Sequence, residues 1–209
     1  MGQAMDISWH RDFYSLPSLD EYDRMCRLKT GCLARLAAVL GVLCSGVDAD
    51  AVGEFLPREF LPQGTGQNAD NLDNIMKIFG EAAEQLGVGF QIMDDVKNLV
   101  AGNPGKKRGD DIVEGKKSLP VLLYLHRYPE KREFAARCFA AANEKGIDAP
   151  EVEEFICAIN DAGIPEEARE KGMEYIQGSR KIFSSSLTIG FNEYNKGRDL
   201  LTGLIDMLC

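Results

Sequence analysis

The sequence predicts an all-α protein. Apolar residues recur at helical spacing through most of the chain, and alternating apolar–polar strand runs are nearly absent. Ser, Pro and Gly stand where helices begin and end.

Taken in order, Gly2 to Arg11 has the pattern of a helix, and Ser15-Leu16-Pro17 breaks it. Ser18-Leu19-Asp20-Glu21 reads as a capping box: the Ser18 hydroxyl accepts the Glu21 amide, and Glu21 reaches back. The helix opened there extends to about Ser45-Gly46, with Met25, Leu28, Cys32, Val39 and Leu43 at helical spacing. Its second half, Cys32 to Cys44, is apolar on most sides, which predicts a buried central helix. Val47 to Asn68 is a connection full of breakers (Leu56-Pro57, Leu61-Pro62, Gly64-Thr65-Gly66), with a short helical turn at Asp50 to Phe55. Helix resumes at about Asn71 and runs through Ile75, Phe79, Ala82, Leu86, Phe90 and Met93 to about Val100. Gly87 and Gly89 lower its propensity and permit close packing or a bend. Ala101 to Lys117 is a second loop. Leu119 to His126 is helical and stops before Pro129. Helices follow at about Lys131 to Lys145, Pro150 to Ala162, Pro165 to Ser185 and Gly190 to Met207, with Pro150 and Pro165 near starts, where a missing amide costs nothing. No repeat or linker interrupts this pattern, so residues 1–209 are expected to form a single domain.

Composition narrows the function. Of 209 residues, 44% are hydrophobic and 27% charged, the balance of a soluble globular protein. A net charge of −9 opposes binding to a phosphate backbone, so nucleic acid is not an expected partner. The cysteines (Cys26, Cys32, Cys44, Cys138, Cys157 and Cys209) form no CxxC pair and read as reduced, buried small hydrophobes of a cytoplasmic protein. No signal peptide opens the chain, and the longest apolar stretch, Leu33 to Val47, contains Arg35 and falls short of a membrane span. With only His10 and His126, a histidine metal site or a Ser-His-Asp triad is not expected.

Four short stretches carry chemistry. In Gln91-Ile92-Met93-Asp94-Asp95-Val96-Lys97-Asn98, adjacent carboxylates interrupt an apolar helix, which is costly unless something pairs with them. Asp94 and Asn98 lie one turn apart, with Gln91 a turn earlier, an all-oxygen set suited to a hard cation such as magnesium. A solvated acidic step is the plainer alternative. Gly105-Lys106-Lys107-Arg108-Gly109 sets three cations on flexible backbone and suits phosphate, or is a solvated basic loop. Lys29-Thr30-Gly31 places a cation and a hydroxyl in a largely apolar helix, and a bound diphosphate would supply the counter-charge. Gly2-Gln3-Ala4-Met5-Asp6 puts polar groups on an apolar helix end.

In this order the stretches resemble the trans-isoprenyl diphosphate synthase (polyprenyl synthetase) family. The resemblance continues through Asp111-Ile112-Val113-Glu114-Gly115-Lys116-Lys117-Ser118-Leu119-Pro120 and covers residues 2 to 120. It implies the isoprenoid synthase helical bundle and a prenyltransferase that condenses an allylic diphosphate with isopentenyl diphosphate, with Mg2+ as cofactor. Carried onto this sequence, Asp94 is the principal magnesium ligand, with Asp95 and Asn98 supporting it through water or orientation. Lys29, Thr30 and Lys106 bind the allylic diphosphate, Phe90 and Gln91 shape the prenyl pocket, and Lys116 is a further diphosphate contact. Lys29, Thr30, Gln91 and Asp94 form the expected catalytic set, with Gln3 and Asp6 as outlying candidates.

The family carries two aspartate-rich motifs, and the first has no counterpart here. The chain is therefore expected to be an amino-terminally truncated bundle, impaired alone, and a homodimer or a heteromer with a chain supplying the first motif. The alternative is a non-catalytic or regulatory subunit of a heteromeric synthase. A terpene cyclase or squalene synthase relative is disfavoured by the Lys-Thr-Gly and Gly-Lys stretches. Further departures are Asn98 in place of a third aspartate, the long Val47 to Asn68 connection, and a carboxy terminus without a basic tail.

Overall fold

Ser18 opens the first long helix as its spacing requires. Its hydroxyl accepts the Glu21 amide at 3.1 Å and its own amide donates to the Glu21 carboxylate at 2.8 Å. This satisfies two of the amides left orphaned at a helix start. The computed structural model describes residues 1–45, 70–102, 105, 107–187 and 195–207, and every regular element among them is helical. The helices are α1 (Gly2–His10), α2 (Leu19–Cys26), α3 (Cys32–Cys44), α4 (Asp70–Val100), α5 (Asp110–Val113), α6 (Leu119–Arg127), α7 (Arg132–Lys145), α8 (Pro150–Asp161), α9 (Ile164–Leu187) and α10 (Asn195–Asp206). Between α2 and α3 the helix widens into a π turn, Arg27–Gly31, which contains the Lys29-Thr30-Gly31 stretch. Such turns are frequent at functional sites. The Val47 to Asn68 connection lies outside the described residues.

Contacts divide the chain into two compact units. The first comprises Met1–Lys29 and Gly89–Gly172, the second Thr30–Val88 and Met173–Cys209.

In the first unit α1 packs on α2, α2 on α6, and α7 on α5 and α8. Its core is aromatic. Phe155 is fully buried and meets Phe139 edge-on at 5.5 Å, Phe134 at 5.7 Å and Tyr124 at 5.9 Å. Each such pair adds about 0.5–1.5 kcal/mol beyond its burial. Gly2 belongs to this unit for a steric reason. A Cβ there would lie 2.4 Å from the Lys29 backbone nitrogen, so only glycine lets α1 rest against the π turn.

In the second unit Ile75 and Ile78 of α4 pack with Val42, Phe79 and Ile182. Gly87 is the close-packing position its composition suggests: a Cβ would stand 3.0 Å from the Gly31 Cα. One expectation fails here. Helix α3 has no buried residue, and Leu33, Leu36, Leu40 and Leu43 are all at least half exposed. An apolar helix is buried only where a neighbour covers it, and none of the described residues covers that face. Two more corrections share this cause: Cys32 and Cys44, on α3, are exposed, as is Cys157, whereas Cys26 and Cys138 are buried as expected. None of these five is in a disulfide. Among the described residues no helix is long and apolar enough to cross a membrane.

Candidate functional site

Asp95 of α4 sits at the centre of the site. It is buried and takes hydrogen bonds from four donors. Oδ1 accepts from Lys116 Nζ at 2.7 Å and Gln91 Nε2 at 3.1 Å. Oδ2 accepts from the Tyr22 hydroxyl at 2.8 Å and the Leu119 amide, at the start of α6, at 3.2 Å. Lys116 also reaches Asp111 Oδ2 at 2.8 Å. Asn98, one turn beyond Asp95, is buried; its Oδ1 accepts the Asp111 amide at 3.2 Å and its Nδ2 has no partner.

The helical period explains the grouping. Gln91, Asp95 and Asn98 follow at four and three residues and so share one stripe, which faces inward. Phe90 and Lys97 lie on the outward side, with Phe90 46% exposed. Asp94 falls at the rim between the two and is half-buried. The spacing expected of Asp94 and Asn98 therefore does not make them equivalent. Asp94 is placed at the edge of solvent, whereas Asp95 and Asn98 point into the core and have their oxygens engaged by protein donors.

Charge and burial act together on the titrations. Burial would lower the Lys116 ammonium, but the adjacent Asp95 and Asp111 carboxylates outweigh it and hold the group charged. Burial pushes the Tyr22 hydroxyl well up, and the neighbouring Asp95 charge adds to this. The hydroxyl is therefore a donor at neutral pH. Lys117 is buried beside them, with its ammonium on the Gly115 carbonyl at 2.8 Å and over the Phe139 ring at 4.3 Å. Burial brings it down to about 8, and Asp12 opposes this only in part.

A second cluster joins α1 to the π turn. Lys29 Nζ donates to Asp6 Oδ2 at 2.5 Å, and His10 Nε2 lies 3.0 Å from Asp6 Oδ1. Burial would raise the Asp6 carboxyl, but the His10 and Lys29 hydrogen bonds and charges win and hold it at about 2. Lys29 is thus paired with Asp6, one of the outlying candidates. Thr30 follows it in the π turn and is half-buried, and Gln3 is exposed. Lys106 lies outside the described residues.

The structure therefore brings Gln91, Asp95 and Lys116 together in one network and Lys29 and Asp6 in another. It adds Tyr22, His10, Asp111 and Lys117, none of which the sequence reading gave a role. Tyr22 carried a usable signal: it shares a helix face with Met25 and Cys26, and a buried tyrosine needs a partner for its hydroxyl. Lys117 carried none beyond standing beside Lys116.

Among the described residues no group of three or more His, Cys, Asp or Glu could enclose a metal ion. One half-buried carboxylate on a rigid helix does fit the ordinary mode of magnesium, which is held by one or two carboxylates together with phosphate oxygens and water.

The all-α fold has counterparts among known proteins. Residues 62–156 match the polyprenyl synthetase family. A geranylgeranyl pyrophosphate synthase of Aspergillus versicolor is 30% identical over 192 residues, which is 88% of this chain and 41% of that one. One of Penicillium janthinellum is 35% identical over 131 residues, 62% of this chain and 28% of that one. Among solved structures, the geranylgeranyl pyrophosphate synthetase of the archaeon Geoglobus acetivorans superposes with a TM-score of 0.63 at 27% identity, over 99% of this chain and 51% of that one. The heptaprenyl diphosphate synthase of Staphylococcus aureus gives 0.70 at 19% identity, over 99% and 54%. Residues 62–156 thus carry the polyprenyl synthetase family's pattern, and the chain has the helical bundle fold of these synthases. It spans about half the length of the solved relatives and less than half of the curated ones.

Proposed function

We propose that this chain is the diphosphate-ionising part of a magnesium-dependent prenyltransferase that condenses an allylic diphosphate with isopentenyl diphosphate. The observation that carries the reading is the placement of Asp94 at the rim of a helix whose inner stripe is locked by Asp95, Lys116 and Tyr22. A prepositioned carboxylate is what a metal–diphosphate complex needs, because reorganisation at the moment of reaction would cost rate. Magnesium, when bound, neutralises charge gathering on the departing diphosphate.

In this reading Asp94 holds the metal, while Asp95 and Asn98 fix the helix that presents it. Lys29, Thr30 and Lys106 contact the allylic diphosphate, with the Lys29 ammonium already held in place by Asp6. Gln91 and the exposed Phe90 ring line the prenyl side. The protein works in the cytoplasm, and residues 1–209 form one domain, supported by α4 and α9, which each contribute residues to both compact units. The apolar face of α3 supports a partner, either a second copy or a chain supplying the first aspartate-rich motif. That face also favours a second reading, a non-catalytic subunit of a heteromeric synthase.

The test is elongation of farnesyl diphosphate by radiolabelled isopentenyl diphosphate in the assembled protein, with and without magnesium. Asp94→Ala should cut magnesium-dependent product by at least about 100-fold, the loss typical of a group acting on transition-state charge. Near-normal turnover by the variant would sink the assignment of Asp94. Turnover that persists in the assembly but never depends on Asp94 would leave the subunit reading.

A further inference from the structure

Lys116 stands in a stretch that resemblance assigns to diphosphate contact, yet its geometry is that of an internal counter-ion. It is only 6% exposed, and its ammonium lies between Asp95 Oδ1 at 2.7 Å and Asp111 Oδ2 at 2.8 Å. We propose that Lys116 is a positioning residue, a buried bridge between α4 and α5 that neutralises the Asp95–Asp111 pair and thereby fixes the turn of α4 that presents Asp94. The inference rests on the reading of Asp94 given above and deepens it.

Three features support the bridge. The Lys116 ammonium donates to one oxygen of each carboxylate, so a cation lies between two like charges in the core. The turn that delivers Lys116 is itself constrained. Gly115 has φ of +74°, a Cβ there would lie 2.7 Å from the His10 carbonyl oxygen, and its own carbonyl is tied by the buried Lys117 ammonium. The Lys116 amide also donates to the Asp111 carbonyl at 2.9 Å, so backbone and side chain of Lys116 hold the same residue. A lysine meant to meet an incoming anion would not need its ammonium held between two carboxylates.

Charge bookkeeping supplies the test. Lys116→Met leaves two buried carboxylates without their cation. Adding Asp111→Asn removes one of them and restores the net charge of the wild-type cluster. Binding of inorganic diphosphate with magnesium is measured by calorimetry on the full protein, alongside urea unfolding. Lys116→Met should unfold at lower urea and bind diphosphate at least about tenfold more weakly, the cost of a broken buried pair. Lys116→Met/Asp111→Asn should recover both to within about threefold, the scale of ordinary context effects on a neutral swap. A double variant that folds normally yet still binds about tenfold more weakly would overturn the proposal and make Lys116 a direct diphosphate ligand. So would a single variant with unchanged unfolding. If the wild-type protein binds no diphosphate, the functional reading fails, and the unfolding arm still decides whether Lys116 is the counter-ion.

Discussion

Lys117 stands next to the bridge and differs from it in every respect but burial. Lys116 has two carboxylates; the Lys117 ammonium has the Gly115 carbonyl and the face of Phe139. The consequence is opposite in sign. Lys117 is brought down to about 8, against 10.5 for an ordinary lysine. Between those values the folded protein has released a proton that the unfolded chain still holds, so stability rises with pH through this window. The slope from one proton is at most about 1.4 kcal/mol per pH unit, and below pH 8 the group contributes none. Tyr22 works against this at the upper end, since its raised hydroxyl keeps a proton that an unfolded tyrosine loses above about 10. The difference between wild type and Lys117→Met, followed by urea unfolding from pH 7 to 10, isolates the effect. The wild type should gain on the variant only above pH 8, and a flat difference would show that Lys117 keeps its proton. Residue roles were the part of the site least legible in sequence. Asp94 and Asp95 are adjacent and chemically identical, and only the phase of α4 against its neighbours makes one a rim carboxylate and the other a core anchor. Tyr22 and Asp111 act across 73 and 16 residues of chain from Asp95, a separation that no local pattern reports.

Helices were far more legible than side-chain roles. The capping box at Ser18, the run to Val100 and the starts at Pro150 and near Pro165 all follow from local rules, and the structure places them within a residue or two. The π turn at Arg27–Gly31 was not foreseen, because it differs from an α-helix by one residue of register and leaves the apolar spacing almost intact. Its packing can be tested through Gly87. An alanine there gains about 1 kcal/mol of helix propensity. Its Cβ, however, would meet Gly31 Cα at 3.0 Å, Gly31 N at 3.2 Å and Thr30 O at 3.3 Å, all backbone atoms with little room to yield. Overpacking of this kind costs about 1–3 kcal/mol, so Gly87→Ala should be neutral to destabilising by up to about 2 kcal/mol. Gly41→Ala on α3, where a Cβ meets nothing within 4 Å, should instead stabilise. Thermal unfolding of the two variants checks the sign, and stabilisation by both would mean that the close approach at Gly87 is relaxed in solution.

At the scale of the whole molecule the informative feature is apolar surface that no other described residue covers. On α3, Leu33, Leu36, Leu40 and Leu43 form a stripe at helical spacing, between half and two-thirds exposed. On α10 and just past its end, Leu200, Leu204 and Met207 repeat the pattern at 75%, 55% and 84% exposure. The apolar run from Cys32 to Cys44 predicted a buried helix, and such a run is silent about which chain does the burying. Fully covering one leucine stabilises by about 1.5–3 kcal/mol, so a partner that covers the α3 stripe gains several kcal/mol before its entropic costs. The chain should therefore associate at micromolar concentration, with itself or with a complementary chain. Leu36→Glu with Leu40→Glu places two charges on the stripe at residues that are themselves at least half exposed, so folding of the chain should survive. Sedimentation velocity on wild type and variant, alone and mixed with a candidate partner, reads the outcome. The variant should run as a monomer with wild-type helical content, while the wild type runs larger or forms the mixed complex. A wild type that stays monomeric and binds no partner would remove the α3 face as an interface and, with it, the structural reason for placing the first aspartate-rich motif on another chain.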